Sequence, residues 1–254
     1  VDEFFSVWLW VHRLVGYPTA FVVAPLAMVS FAGVRVHRRW GKLYALSMVF
    51  LYTTGTVMSF RHHGLLSWDL ARSLAFNLAG FSAVLLGWRS IRLLHRSADG
   101  LPSALDRVLL GLLTAGGIGL CLVGLTSFPM LVFGVLALVL AYLDLRDLLG
   151  PIRSKRVQLS RHVRYMFASF FYMLTLLSVL HVQAPQALRW LWPWFIGVPA
   201  IVMVSRSWNG LSATPPARLA RVVVWGTVVV TYSLGVYILV SAAAGHMSSL
   251  LARS

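Results

Sequence analysis

The sequence predicts an all-α, polytopic transmembrane helix bundle of about eight spans, a single integral membrane domain over residues 1–254. Three observations predict it. The chain is 59% hydrophobic and only 11% charged, with a mean hydropathy of +0.79, too little polar surface to cover a water-soluble globule of this size. Charged and turn-forming clusters divide it into apolar stretches near the about 20 residues that a membrane-spanning helix needs at ~1.5 Å rise per residue. Most of the 22 Lys and Arg residues fall on one side of the alternation that results.

The first span is expected from Val15 to Val34, after an interfacial segment Phe4 to Val11, and ends at the basic cluster Arg35, His37, Arg38, Arg39, Lys42. Pro25 inside it is expected to kink the helix and free a backbone carbonyl near Phe21. The second, Leu43 to Phe60, stops at Arg61-His62-His63-Gly64, and the third, Leu74 to Trp88, runs on into Arg89, Arg92, His95 and Arg96. After the polar stretch Ser97 to Arg107 comes the fourth, Val108 to Leu125, then a tight turn at Thr126-Ser127-Phe128-Pro129. The fifth, Met130 to Leu143, ends in Asp144, Arg146 and Asp147, and a long basic loop leads to the sixth, Tyr165 to Leu180. The seventh is Trp190 to Val204; the linker Ser205 to Arg221 precedes the eighth, Val222 to Ala244.

Eight crossings put both termini on one face. Arg35, Arg38, Arg39, Lys42, Arg89, Arg92, Arg96, Arg107, Arg146, Arg153, Lys155, Arg156, Arg161, Arg164, Arg206, Arg218 and Arg221 then share one side, against Arg13, Arg61, Arg72, Arg189 and Arg253 on the other. By the positive-inside rule the first side is cytoplasmic and both termini are outside, in a bacterial cytoplasmic (inner) membrane. The net charge of +15 therefore reads as loop clusters meeting anionic lipid headgroups, with no nucleic acid as partner. The chain opens with Val1, Asp2 and Glu3, unlike the basic, apolar and small-residue order of a signal peptide, and an initiator Met or leader is expected upstream. The single Cys121 allows no intramolecular disulfide.

Trp8, Trp10, Trp68, Trp190, Trp192 and Trp194 are expected at the outer boundary and Trp40, Trp88 and Trp208 at the inner, as amphipathic rings prefer. No carboxylate is expected near the midplane, which disfavours an ion-coupled transporter. The polar residues within spans, Thr53, Thr54, Asn77, Thr114, Thr175, Ser178, Thr227 and Thr231, are mild and suit hydrogen bonds within or between helices. Gly117, Cys121 and Gly124 form a small-residue stripe suited to close helix packing.

The candidate chemistry lies in the histidines. His12, His62, His63, His181 and His246 fall toward the outer ends of spans, and His37, His95 and His162 toward the inner. Two neutral imidazoles from different helices can hold a b-type haem between them. The candidate pairs are His37 with His162 inside, and His62 or His63 with His12 or His181 outside. His162 and His181 are nineteen residues apart, about 28 Å at helical rise, so each is expected near a membrane boundary. A bare metal site is not expected, since no acidic or Cys partner accompanies His62-His63.

His12-Arg13-Leu14-Val15-Gly16 and His37-Arg38-Arg39-Trp40-Gly41 share H-R-x-x-G on opposite sides. The second copy, extended as His37-Arg38-x-x-Gly41-Lys42-x-Tyr44 and introduced by His12, Gly16 and Pro25, resembles an element of the uncharacterised bacterial membrane-protein family DUF2306. Arg161-His162-Val163-Arg164-Tyr165-Met166 resembles that family's later basic element, so the likeness covers residues 10 to 95 and 158 to 182. The resemblance implies the fold and orientation, and is compatible with haem, quinone or anionic-lipid binding without choosing among them. Independently of it, Gly41 suits a tight inter-helix turn held at the leaflet by its basic neighbours.

Three functional classes follow. The small loops, lack of midplane charge and small-residue stripe favour an accessory or assembly subunit, with no catalytic residue named and other membrane subunits as partners. The histidines favour a b-haem or quinone-linked redox protein. The kinked first span favours a carrier for a lipid or small neutral molecule, in which Thr53, Thr54 and Asn77 would line an inward cavity.

Overall fold

The computed structural model describes residues 3–30, 34–63, 67–93, 103–149, 155–209 and 218–251. The described residues are helical almost throughout, and no strand occurs among them. The elements are α1 (Glu3–Pro18), a π turn (Thr19–Val23), α2 (Ala24–Val29), α3 (Val34–His63), α4 (Trp68–Leu93), α5 (Ala104–Gly124), α6 (Phe128–Leu149), α7 (Lys155–His181), α8 (Gln186–Asn209) and α9 (Arg218–Leu251). Seven of them, α3 to α9, are long and apolar enough to cross a membrane.

The expected first span is the exception, because it is interrupted. Pro25 has no N–H to give to Phe21, and just before it the ladder widens, with the Ala24 N–H reaching Thr19 O, five residues back. The irregularity expected around Pro25 is therefore a π turn, and the Thr19 hydroxyl donates to Val15 O at 2.7 Å beside it. The helical rod ends at Val29 rather than Val34.

Most of the other helices outrun their predicted spans. The basic cluster at 35–42, expected as a connection, forms the first turns of α3, and the long basic loop expected before the sixth span is already α7 from Lys155. Hydropathy locates where the lipid stops, whereas Arg and Lys are good helix formers that let the rod continue past it. Consequently His37 and His162, expected at or beyond helix ends, lie within α3 and α7.

α7 is the axis of the bundle, packed on α4 and α8. Tyr165, Phe170, Phe171, Tyr172 and Leu174 are almost wholly enclosed. Around Tyr172 gather Phe76, Phe133 and Trp194, with ring centroids 4.9, 6.2 and 5.0 Å away. Trp190 stacks edge-on to Phe76 at 5.7 Å. Trp190 and Trp194, expected in an interfacial belt, are thus core residues. Their ring bodies fill the space between α4, α6 and α7, and the Trp194 N–H is satisfied by Thr175 Oγ1 at 2.9 Å. Trp10 and Trp68 are exposed, as a belt requires; the side chain of Trp208 lies outside the described residues.

The small-residue stripe does close a helix pair. A methyl added at Gly117 would sit 3.0 Å from Leu138, and one at Gly134 would sit 2.5 Å from Cys121 Sγ, so α5 and α6 meet nearly backbone to backbone. α9 packs mainly on α8 and touches α2.

The basic residues in the first turns of α3 and α7 and the last turns of α4 gather at one end of the bundle, where carboxylates meet several of them. Arg161 is clamped by Asp144, Nε to Oδ1 at 2.6 Å and Nη2 to Oδ2 at 3.0 Å, with side chains 1% and 0% exposed. Arg164 reaches Asp147 at 2.6 Å, and Arg89 pairs with Asp106. Asp106 also closes a capping box with Ser103 at the start of α5.

Candidate functional site

One cavity, of about 200 Å³, opens at this basic end between α2, α3, α7 and α9. Its walls are apolar, including Met28, Ile91, Val163, Met166 and Val224, and its polar groups are His37, Tyr44 and His162. His37, Gly41 and Tyr44 stand at i, i+4 and i+7, so one stripe of α3 faces the cavity. Arg38, Arg39 and Lys42, between them in sequence, are exposed on the other side. The H-R-x-x-G-K-x-Y pattern is therefore a helix with two functions on two faces.

Gly41 does not make the tight turn expected of it. It lies within α3, and nothing approaches within 4 Å of where its Cβ would be. What the missing side chain leaves open is the cavity.

Both imidazoles are held by backbone. His37 Nδ1 lies 2.8 Å from Ala27 O, in the last turn of α2 where carbonyls lack helical donors. His162 Nδ1 lies 2.8 Å from Gly87 O on α4. Gly87 makes that approach possible, since a methyl there would press on Tyr165 Cβ and Met166 at 3.1 and 3.2 Å. A carbonyl only accepts, so each Nδ1 carries a proton, and in the neutral ring each Nε2 presents a lone pair. The two rings, from helices far apart in the chain, have centroids 6.2 Å apart and planes at 86°. His162 keeps some accessible surface only because it faces the cavity.

Tyr44 is fixed in the same way. Ser169 Oγ gives its proton to Met166 O at 2.9 Å, so the Tyr44 hydroxyl donates to Ser169 Oγ at 2.8 Å. The neighbouring Tyr52 hydroxyl donates to Ser169 O at 3.2 Å.

The structure brings His37 and His162 together; the outer candidate pairs all include His62 or His63, whose side chains lie outside the described residues. His12 Nδ1 is 2.7 Å from Thr54 Oγ1. Thr54 already donates to Phe50 O at 2.8 Å, so His12 is the donor. Burial, and next the Arg13 charge, push the His12 pKa down, which keeps it neutral. His181 Nε2 instead meets the Tyr17 hydroxyl at 2.8 Å. The side chains of His62, His63 and His246, and all of His95, lie outside the described residues. Thr53, Thr54 and Asn77, named for a carrier's inward cavity, are not among the residues lining the cavity at the basic end. Thr53 is exposed on the outside of α3, Thr54 holds His12, and Asn77 packs beside Gly55.

Sequence reasoning missed the Asp144–Arg161 and Asp147–Arg164 ladder. The signal was present, since the acids and the arginines are both spaced i, i+3 on consecutive spans, at the ends that an antiparallel hairpin brings together.

No protein family, curated protein or solved structure matches this chain.

Proposed function

We propose that this chain is a multi-pass membrane redox protein that binds one b-type haem through His37 and His162. One observation carries the reading. Both imidazoles spend their Nδ1 protons on main-chain carbonyls, which leaves two Nε2 lone pairs on rings 6.2 Å apart. Metal-bound histidines characteristically donate their other nitrogen in this way. Two imidazoles this close, on separate helices, would together hold one metal centre. Among the described residues no third His, Cys, Asp or Glu joins them. Two protein ligands suit an iron that arrives with four porphyrin nitrogens better than a bare ion.

The haem would supply one-electron chemistry. The chain's own residues orient the two imidazoles through main-chain carbonyls and line the seat with aliphatic side chains. The cavity is below the about 300–1,000 Å³ usual for drug-sized ligands, so a whole porphyrin needs α2 and α9 to stand back from α3 and α7. That volume favours a second reading, a quinone headgroup, whose reduced hydroxyls would donate to the same Nε2 atoms. The resemblance to DUF2306 fits either reading, because its matched His, Gly and Tyr are the cavity residues of α3. We place the protein in a bacterial inner membrane with the basic end cytoplasmic. The accessory-subunit and carrier readings have no comparable observation behind them.

The test is a visible spectrum of the detergent-purified protein, oxidised and dithionite-reduced, with a pyridine haemochrome assay. A b-type Soret and α band at one haem per chain is expected, lost in His37→Ala and in His162→Ala. Gly41→Leu, which fills the cavity from an open position, should also lose it while the protein remains folded. A colourless protein carrying extractable quinone would favour the second reading, and absorbance that survives both histidine replacements would sink the first.

A further inference from the structure

The outward face of α3 is built in two zones. Arg35, Arg38, Arg39 and Lys42 recur at i, i+3, i+4 and i+7, so they stack in one stripe over its first two turns, and all four are exposed. Along the same face the helix continues with Leu46 and Val57, 55% and 63% exposed. The opposite face carries His37, Gly41 and Tyr44, so the cavity does not need these charges.

Left to itself the stripe is electrostatically uphill. Like charges one turn apart repel, and cations at a helix N-terminus oppose the helix dipole. The first turn of α3 holds no acidic residue. The carboxylates of the bundle are committed elsewhere: Asp69 to Arg72, Asp106 to Arg89, Asp144 to Arg161, and Asp147 to Arg146 and Arg164. Among the described residues none answers the stripe. The stripe is therefore open to a counter-charge from outside the bundle.

We propose that this face of α3 is a docking surface for anionic phospholipids, with headgroup phosphates on Arg35, Arg38, Arg39 and Lys42 and acyl chains along Leu46 and Val57. Arg offers phosphate oxygens a planar, paired set of donors, and the order of the zones, charge and then apolar surface along one helix, matches a phospholipid from head to tail. A free phosphate would use only the first zone. An acidic soluble protein would leave the second facing nothing suited to it.

The test reconstitutes the full chain in nanodiscs of equal phosphatidylcholine and phosphatidylglycerol and measures the lipids that remain bound after detergent extraction by native mass spectrometry. Wild-type protein should retain phosphatidylglycerol preferentially, and the preference should fall about tenfold or more in the quadruple variant R35Q/R38Q/R39Q/K42Q, as expected for basic residues at an anionic surface. Replacing Arg107, Arg146 and Lys155 by Gln, exposed cations on α5, α6 and α7, should leave the preference largely intact. Because all these positions are exposed, gel filtration and a melting curve should show folded protein for each variant. Equal retention by the quadruple variant, equal loss in the control variant, or no preference in wild type would overturn the proposal. So would full thermal stabilisation of the detergent-solubilised protein by inorganic phosphate alone, which would assign the stripe to a free anion.

Discussion

Residue by residue, the basic end pairs buried arginines with carboxylates and holds the two cavity histidines on main-chain carbonyls. In the neutral rings this leaves two Nε2 acceptors, and at the same end the buried Arg164 Nε and Ser205 Oγ also have no hydrogen-bond partner among the described residues. The Asp144–Arg161 pair shows how much depends on this matching. Neither side chain has appreciable exposure, and removing one partner of such a pair strands the other charge, at a cost of about 3–5 kcal/mol. Asp144→Asn should therefore lower the unfolding midpoint in detergent sharply. Asp144→Leu combined with Arg161→Met should recover much of the loss, since a packed apolar pair needs no counter-charge. A single variant as stable as wild type would show that the pair is hydrated rather than buried.

At the level of the element, glycine decides how closely the helices approach, and its effect differs with its surroundings. Gly134 lets α6 lie against Cys121 and Gly117 of α5, where an added methyl would meet backbone nitrogen at 2.6 Å and carbonyl oxygen at 2.8 Å. Gly134→Ala should cost about 1–3 kcal/mol, because backbone cannot step aside as a side chain can. Gly111, on the same α5, has nothing within 4 Å of its missing Cβ. Gly111→Ala should instead stabilise by about 0.5–1 kcal/mol by removing backbone freedom from the unfolded chain. Melting curves of the two variants, side by side in one detergent, check both signs. The stripe on α5 was legible in the sequence because i, i+4, i+7 spacing is set within one helix. That Gly134 was its partner was not, because the register of α6 on α5 is a property of the pair. The same holds for Gly41, whose spacing from His37 put both on one face but could not say whether that face met a turn, a neighbour or a cavity.

For the whole molecule, seven helices long and apolar enough to cross a membrane, preceded by one interrupted rod, agree with a membrane bundle, and the number of crossings and the orientation are the properties to test. We expect the basic end to face the cytoplasm. In a Cys121→Ser background, Gln183→Cys should react with a membrane-impermeant thiol reagent in intact cells, and Lys155→Cys only after permeabilisation. The reverse pattern would turn the assignment over. Composition and the periodic return of charge sufficed to predict an all-helical apolar bundle, because the cost of burying backbone and charge in lipid is paid segment by segment along the chain. Even the break at Pro25 was readable, since proline removes its own donor wherever it stands. Which histidines meet was not readable to the same degree. The sequence offered His37 with His162 on equal terms with pairs drawn from four outer histidines, His12, His62, His63 and His181, and it placed Trp190 and Trp194 at the surface. Only the packing of α2, α3, α4 and α7 decided that Ala27 and Gly87 supply the carbonyls, that His12 and His181 turn to Thr54 and Tyr17, and that two tryptophans fill the core. Hydropathy sums over neighbours in sequence, whereas a site is made by neighbours in space.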